Sequence, residues 1–188
     1  FGLILGAMLA FLLEHLNNTF KSTEDVERKL GVAVLGALPR LNMKGKEKRD
    51  AQREFLDKPN SVFSEAIRTI RTGVMLSGLD DPHKVVVVTS SIPGEGKSTV
   101  AMNMALALGQ MEKVLLIDAD LFQGSIETLV FGTPGRERQK KGLSDYFLHG
   151  ARVADLIVPS GVPNLDVIPA GLIPPNPAAP LASPKMKT

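Results

Sequence analysis

Apolar positions change rhythm several times along this chain. They are continuous at the start, in "FGLILGAMLAFLL", thirteen residues from Phe1 to Leu13. A membrane-crossing helix takes about 20 such residues. A buried core helix would suit the shorter length, and a secretory signal would need a basic leader and a cleavage site that are not there. The preferred reading is the end of a transmembrane helix whose first turns precede Phe1, with the small residues Gly2, Gly6 and Ala7 along it. Glu14 and His15 close the run and Lys21, Arg28 and Lys29 follow, so the positive-inside rule puts the rest in the cytoplasm.

The rhythm then becomes that of short elements. "STEDVERKLG" predicts a helix with Ser22 as N-cap, Asp25 at the capping-box position, acids in the first turn, bases in the last and Gly31 as its stop. "VAVLGALP" reads as a short strand or extended segment closed by Pro39. From Arg40 to Pro59 apolar residues scatter among lysines, which reads as a flexible, partly helical linker. Its positive charges suit anionic lipid headgroups or plain solvation equally. Helical spacing returns in "NSVFSEAIRTIRTGVML", where Phe63, Ile67, Ile70 and Val74 share one face. Glu65, Arg68 and Arg71 fall on the other face, which spacing alone reads as a solvated surface with a weak ion pair rather than a subunit contact.

"KVVVVTS" is a β-branched run suited to a parallel strand buried on both faces. "STVAMNMALALGQ" predicts an almost wholly apolar, buried helix, and "KVLLIDAD" a second buried strand ending in acids. Together they predict one right-handed βαβ unit. "GSIETLVFG" and "GLSDYFLHG" read as short helices around a basic loop, "TPGRERQKKG", and "NLDVIPAG" as a third strand. The proline-rich "LIPPNPAAPLASPKMKT" fits neither a continuous helix nor a central strand. The resulting organisation is residues 1–19 as the helix end, 20–59 as juxtamembrane segment and linker, and 60–188 as the catalytic-type domain.

Composition narrows the classes. A net charge of +2 does not suit a dedicated nucleic-acid binder, and the lack of cysteine excludes disulfides and thiolate metal sites. The chemistry is concentrated in "TSSIPGEGKST". A polyphosphate needs converging backbone N–H groups with no side chains in the way. Pro93, Gly94, Glu95, Gly96, Lys97, Ser98 and Thr99 form such a cradle, with Lys97 for the outer phosphates and the Ser98 hydroxyl for Mg²⁺. The strict pattern has a glycine where Ser91 stands, yet the loop follows a strand pattern and opens a helix as the mechanism requires. A glycine turn without ligand is the plainer alternative. Asp118 and Asp120 end the second strand, at the sheet edge where open α/β folds bind ligands. One carboxylate suits Mg²⁺ and the other a hydroxyl proton; capping of the next turn is the alternative.

These segments resemble, in family order and over nearly the whole chain, the bacterial tyrosine kinases (BY-kinases) of capsule and exopolysaccharide export. "SSIPGEGKSTVAMNMALALGQ" with "KVLLIDADL" carries the likeness, flanked by "FSEAIRTIRT", similar to the family's E-x-x-R-x-x-R helix, and by "NLDVIPAGLIPPNP". The resemblance implies an α/β P-loop NTPase of the MinD-like class, with a mostly parallel sheet flanked by helices. It implies ATP and Mg²⁺ at Lys97 and Ser98, a Walker A′ pair in Asp118 and Asp120 for metal binding and base catalysis, and ring-like self-association through Glu65, Arg68 and Arg71. It further implies an inner-membrane protein acting with the polysaccharide polymerase and export machinery and a tyrosine phosphatase, and no nucleic acid. The expected activity is ATP-dependent protein-tyrosine autophosphorylation. A non-catalytic assembly module using ATP as a switch, and a MinD/ParA-type ATPase, are the other two readings. The absence of lysine at Ser91 and Ile92 speaks against the last. Phe122 and Gln123 stand where the family usually has a basic residue, and "LASPKM" replaces its usual helix start. The Walker B strand and the tyrosine-rich tail would follow Thr188, so the sequence reads as a fragment with weak or no activity of its own.

Overall fold

The computed structural model describes residues 2–16, 20, 22–41, 51–78, 83–122, 124, 126 and 141–172. The chain divides into two units, Phe1–Ala37 and Leu38–Thr188. In the first, helix α1 runs Gly2–Leu16 and helix α2 runs Thr23–Leu30. The N-cap of α2 forms as its sequence predicts: Asp25 N–H donates to Ser22 Oγ at 3.2 Å, and Gly31 closes the helix in the left-handed conformation. Glu24, in the first turn, has its carboxyl held below the usual value by its own backbone N–H and then by the Ser22 and Thr23 hydroxyls. "VAVLGALP" joins no ladder among the described residues, with a bend at Val32. At about 1.5 Å per residue α1 is shorter than a bilayer core. No helix among the described residues is long and apolar enough to cross a membrane.

The second unit is built around helix α5, Lys97–Gly109. Met102, Met104, Ala105, Leu106 and Ala107 are buried, as an all-apolar helix requires. Against it pack helix α3, Glu54–Asp57, and the amphipathic helix α4, Val62–Ser77, which delivers Phe63 and Ile67 to the core as its spacing predicts. Strands β1 (Val114–Ile117), β2 (Val158–Val162) and β3 (Leu165–Ile168) form a mixed sheet in the order β1-β3-β2. β1 and β3 are parallel, pairing Val114 with Leu165, and β2 is antiparallel to β3 with an irregularity between Pro159 and Val162. Asn164 turns the β2–β3 connection with φ of 60° and donates to Gly109 O at 3.1 Å, fixing the hairpin to the end of α5. Helix α6, Leu143–His149, starts against the exit of β3, with Leu143 and Ser144 N–H donating to Pro169 and Ala170 carbonyls.

Three sequence expectations need correction. Residues 85–90 join no ladder among the described residues, and Val85 and Val87 are more than 80% exposed. A β-branched run states a preference for a sheet; only a neighbouring strand fulfils it. The parallel neighbour of β1 is therefore β3, not this run, and the sheet is mixed. β1 is likewise buried on one face only, with Leu115 and Ile117 exposed while Val114 and Leu116 pack on the core. The predicted flexible linker also gives way in its second half. Phe55 is 1% exposed in the main core, and Ala51 and Glu54 are buried. The helix predicted in "GSIETLVFG", apart from Gly124 and Ile126, the basic loop at 133–140 and the proline-rich segment from 173 onward lie outside the described residues.

Polar groups hold residues 51–59 in place. Asn103, fully buried on α5, accepts Phe55 N–H at 2.8 Å and donates to Ala51 O at 2.9 Å and Thr99 O at 2.8 Å. Ser64 Oγ on α4 donates to Lys58 O at 2.8 Å, and Arg68 donates to Pro59 O at 2.9 Å. The Arg68 guanidinium also covers the Phe55 ring at 5.2 Å. Replacing Asn103 by alanine leaves two buried backbone groups unpaired. Urea unfolding of Asn103→Ala is expected to show a loss of about 2–4 kcal/mol, with faster proteolysis between residues 51 and 59. A loss below about 0.5 kcal/mol, the level of a surface change, would mean that the segment is not docked in solution.

Candidate functional site

The phosphate-loop residues lie between residues 85–90 and α5. Gly96 is the N-cap of α5, so the backbone N–H groups that follow it belong to the positive end of the helix dipole. Gly94 and Gly96 have φ of 86° and 95°, a region closed to most side chains, and no atom lies within 4 Å of a Cβ built on either. Pro93, Gly94 and Glu95 are exposed, while Gly96, Lys97, Ser98 and Thr99 are half-buried. An open cradle of this kind at a helix start fits a polyphosphate.

Asp118 and Asp120 follow β1 directly, at the edge predicted from the strand pattern. They do different things. Asp118 is 4% exposed and accepts N–H groups from Asp120 at 3.1 Å and Ile126 at 3.0 Å, which folds the loop after the strand around its carboxylate. Asp120 is more open and receives the Lys97 ammonium at 2.7 Å. The sequence placed lysine and acid near one edge but gave no sign of this direct pair. With side chains 35% and 24% exposed, the pair sits between a surface and a buried bridge, where Coulomb gain and desolvation nearly cancel. Ser98, Asp118 and Asp120 carry oxygen atoms, the donor type that a hard cation such as Mg²⁺ takes, while among the described residues no cluster of three or more histidine, cysteine, aspartate or glutamate side chains forms a metal site.

At the other end of the loop, Glu95 folds back on Ser91. Its Oε2 accepts Ser91 N–H at 3.0 Å, Ile92 N–H at 3.2 Å and Ser91 Oγ at 3.1 Å. The Ile92 N–H, and next the Ser91 hydroxyl, hold the Glu95 carboxyl below the usual carboxylate value. A depressed pKa means that the contact is complete above the ordinary carboxylate pKa and is lost only as pH falls through the lowered one. It is thus intact at neutral pH.

Of the α4 charges, Arg68 pairs with Glu65, whose side chain is 66% exposed. Arg71 instead reaches across to α5, donating to Ala107 O at 2.9 Å, while its buried Nε has no acceptor. The predicted outer face is therefore partly an internal fastening of α4. Phe122, which stands where a basic residue was expected, is 64% exposed beside Asp120 and donates its N–H to Asp120 Oδ1 at 3.3 Å. Asn103 is the residue that sequence reasoning passed over. Its one signal is an amide in the middle of an otherwise apolar helix.

The two roles of the acids predict different mutant behaviour. Asp118→Asn turns an amide N–H₂ toward one of two backbone donors, and denaturant unfolding is expected to register a loss of about 1–3 kcal/mol. Unchanged stability would mean that Asp118 does not anchor this loop.

Comparisons with known proteins bear on the family and the fold. A family model described as ParA, the NUBPL iron-transfer P-loop NTPase, matches residues 81–179. The tyrosine-protein kinase YwqD of Bacillus subtilis is 41% identical over 133 residues, covering 70% of this chain and 54% of that protein. The putative tyrosine-protein kinase EpsB of Ralstonia solanacearum is 31% identical over 193 residues, covering 98% of this chain and 25% of that protein. The kinase domain of the Escherichia coli tyrosine kinase ETK matches with a TM-score of 0.73 and 26% identity, over 88% of this chain and 65% of that one. The chain thus spans from a quarter to about half the length of these two curated relatives. The family model covers more than half of the chain, from before the loop to beyond β3, and the chain belongs to the ParA-type P-loop NTPases, in the branch of the bacterial tyrosine kinases.

Proposed function

We propose that this chain is the nucleotide-handling part of an ATP-dependent protein-tyrosine kinase. The observation that carries the reading is the Lys97–Asp120 pair across the mouth of an open phosphate loop. Lys97 is the cation for the outer phosphates, and the N–H groups from Gly96 to Thr99 cradle them. Asp120, released from Lys97 when phosphate arrives, is the base for the tyrosine hydroxyl; Asp118 holds the loop that carries it and, with Ser98, supplies oxygen to the metal. Mg²⁺, when bound, neutralises charge on the transferring phosphoryl group. The γ-phosphorus then bonds to the tyrosine oxygen as its bond to the bridging oxygen of ADP breaks.

The same reading includes a cellular setting. Leu3, Leu5 and Phe11 on α1 are more than 70% exposed, which supports an inner-membrane anchor with the catalytic part in the cytoplasm. Self-association into a ring, work beside polysaccharide polymerase and export proteins, and an opposing tyrosine phosphatase belong to the same proposal and rest on the family resemblance, the relatives' names saying only tyrosine-protein kinase. Nucleic acid has no part in it.

Two experiments test these statements. The intact protein with ATP, Mg²⁺ and a tyrosine-containing acceptor is expected to form phosphotyrosine, and Lys97→Met to reduce the rate at least about a hundredfold. A wild-type protein that forms none, or a variant as fast as wild type, would sink the kinase reading. For self-association, Glu65→Lys is expected to shift sedimentation toward the monomer with stability changed by less than about 0.5 kcal/mol. Arg71→Ala should lower both assembly and melting temperature, because it also fastens α4 to α5. Undisturbed assembly in both variants counts against this helix as the contact.

A further inference from the structure

We infer that Ser91 and Glu95 are a positioning pair that holds the phosphate loop in its nucleotide-ready shape, so that the serine in place of the pattern's first glycine is a working part of the site. This rests on the nucleotide reading above and deepens it. The Glu95 carboxylate spans the loop from its fifth residue to its first, closing a ring over Ile92, Pro93 and Gly94. Its Oε2 takes three donors, the N–H groups of Ser91 and Ile92 and the Ser91 hydroxyl, and the hydroxyl also lies 3.2 Å from Oε1.

Two physical consequences follow. A carboxylate within a phosphate-binding loop repels the ligand unless something directs it elsewhere. Here the three donors commit it to the loop entrance, away from the helix start where Gly96, Lys97, Ser98 and Thr99 present their N–H groups. The contact also restrains residues 91–95, which are exposed and have little packing to define them. Glycine at position 91 would match the strict pattern, yet it would remove the hydroxyl and add backbone freedom that nucleotide binding must then remove.

The test is titration of the intact protein with a fluorescent ATP analogue and Mg²⁺, alongside thermal melts. The variants are Ser91→Gly, Ser91→Ala, Ser91→Thr, Glu95→Gln and the double Ser91→Ala/Glu95→Gln. Ser91→Gly, Ser91→Ala and Glu95→Gln are each expected to bind about five- to tenfold more weakly, the scale of a charge-assisted hydrogen bond at an exposed site, with melting unchanged. Ser91→Thr, which keeps the hydroxyl, is expected to restore affinity to within about twofold, and the double variant to bind no more weakly than the poorer single one. Tighter or unchanged binding by Ser91→Gly, or fully additive losses in the double variant, overturns the inference while leaving the nucleotide reading intact. A wild-type protein whose titration matches that of Lys97→Met overturns the nucleotide reading and this inference with it.

Discussion

The unit that carries the site depends on how one polar side chain is accommodated inside an apolar helix. α5 must be buried because its surface is nearly all alanine, leucine and methionine, and burial fixes the place of the loop at its start. Asn103 sits in the middle of that surface, where an unpaired amide would be a heavy cost. The cost is met by three bonds, two of them to the backbone of residues 51–55. The third, to Thr99 O, reaches back into the loop's own last residue. A chain segment distant in sequence is thereby part of the environment of the phosphate cradle, and α3 and α4 complete the same layer.

The site itself is organised by charge. Lys97, Asp118, Asp120 and Glu95 are four ionisable groups within a small region, and each has its own geometry rather than a share in a general cluster. Asp118 accepts two backbone N–H groups of the loop that follows it. Asp120 and Lys97 satisfy each other while remaining within reach of solvent. Glu95 is committed to the loop entrance. The start of α5, with Gly96 as its N-cap, is the positive end of a helix dipole, the kind of feature a polyphosphate seeks.

Local chemistry was legible in the sequence, and non-local partnership was not. The α2 caps, the buried face of α4 through Phe63 and Ile67, the burial of α5 and the acids at the end of β1 all follow from spacing within one element. The docking of residues 51–59 was hidden because Arg53, Glu54, Asp57 and Lys58 surround Phe55 and make the segment look solvated, while its anchors are on two other helices. The behaviour of "KVVVVTS" was misjudged for a related reason: strand composition reports preference, and exposure depends on which neighbour is present. The loop was recognised from its glycines and lysine, but the pairing of Lys97 with Asp120 and of Glu95 with Ser91 arises only in three dimensions.

The glycines of this chain separate two kinds of constraint. Around Gly94 and Gly96 there is empty space, so a side chain there meets a conformational penalty and nothing else. At Gly142 a Cβ would stand 2.3 Å from Gly171 N and 2.4 Å from Pro169 O, and at Gly171 one would stand 2.5 Å from Ser144 Oγ. The corner where α6 leaves the sheet edge has no room for even one more carbon. A side chain at the loop glycines is opposed by backbone conformation alone, whereas at the corner it would also collide with backbone from the other side of the turn, so the start of α6 and the exit of β3 are held at van der Waals contact.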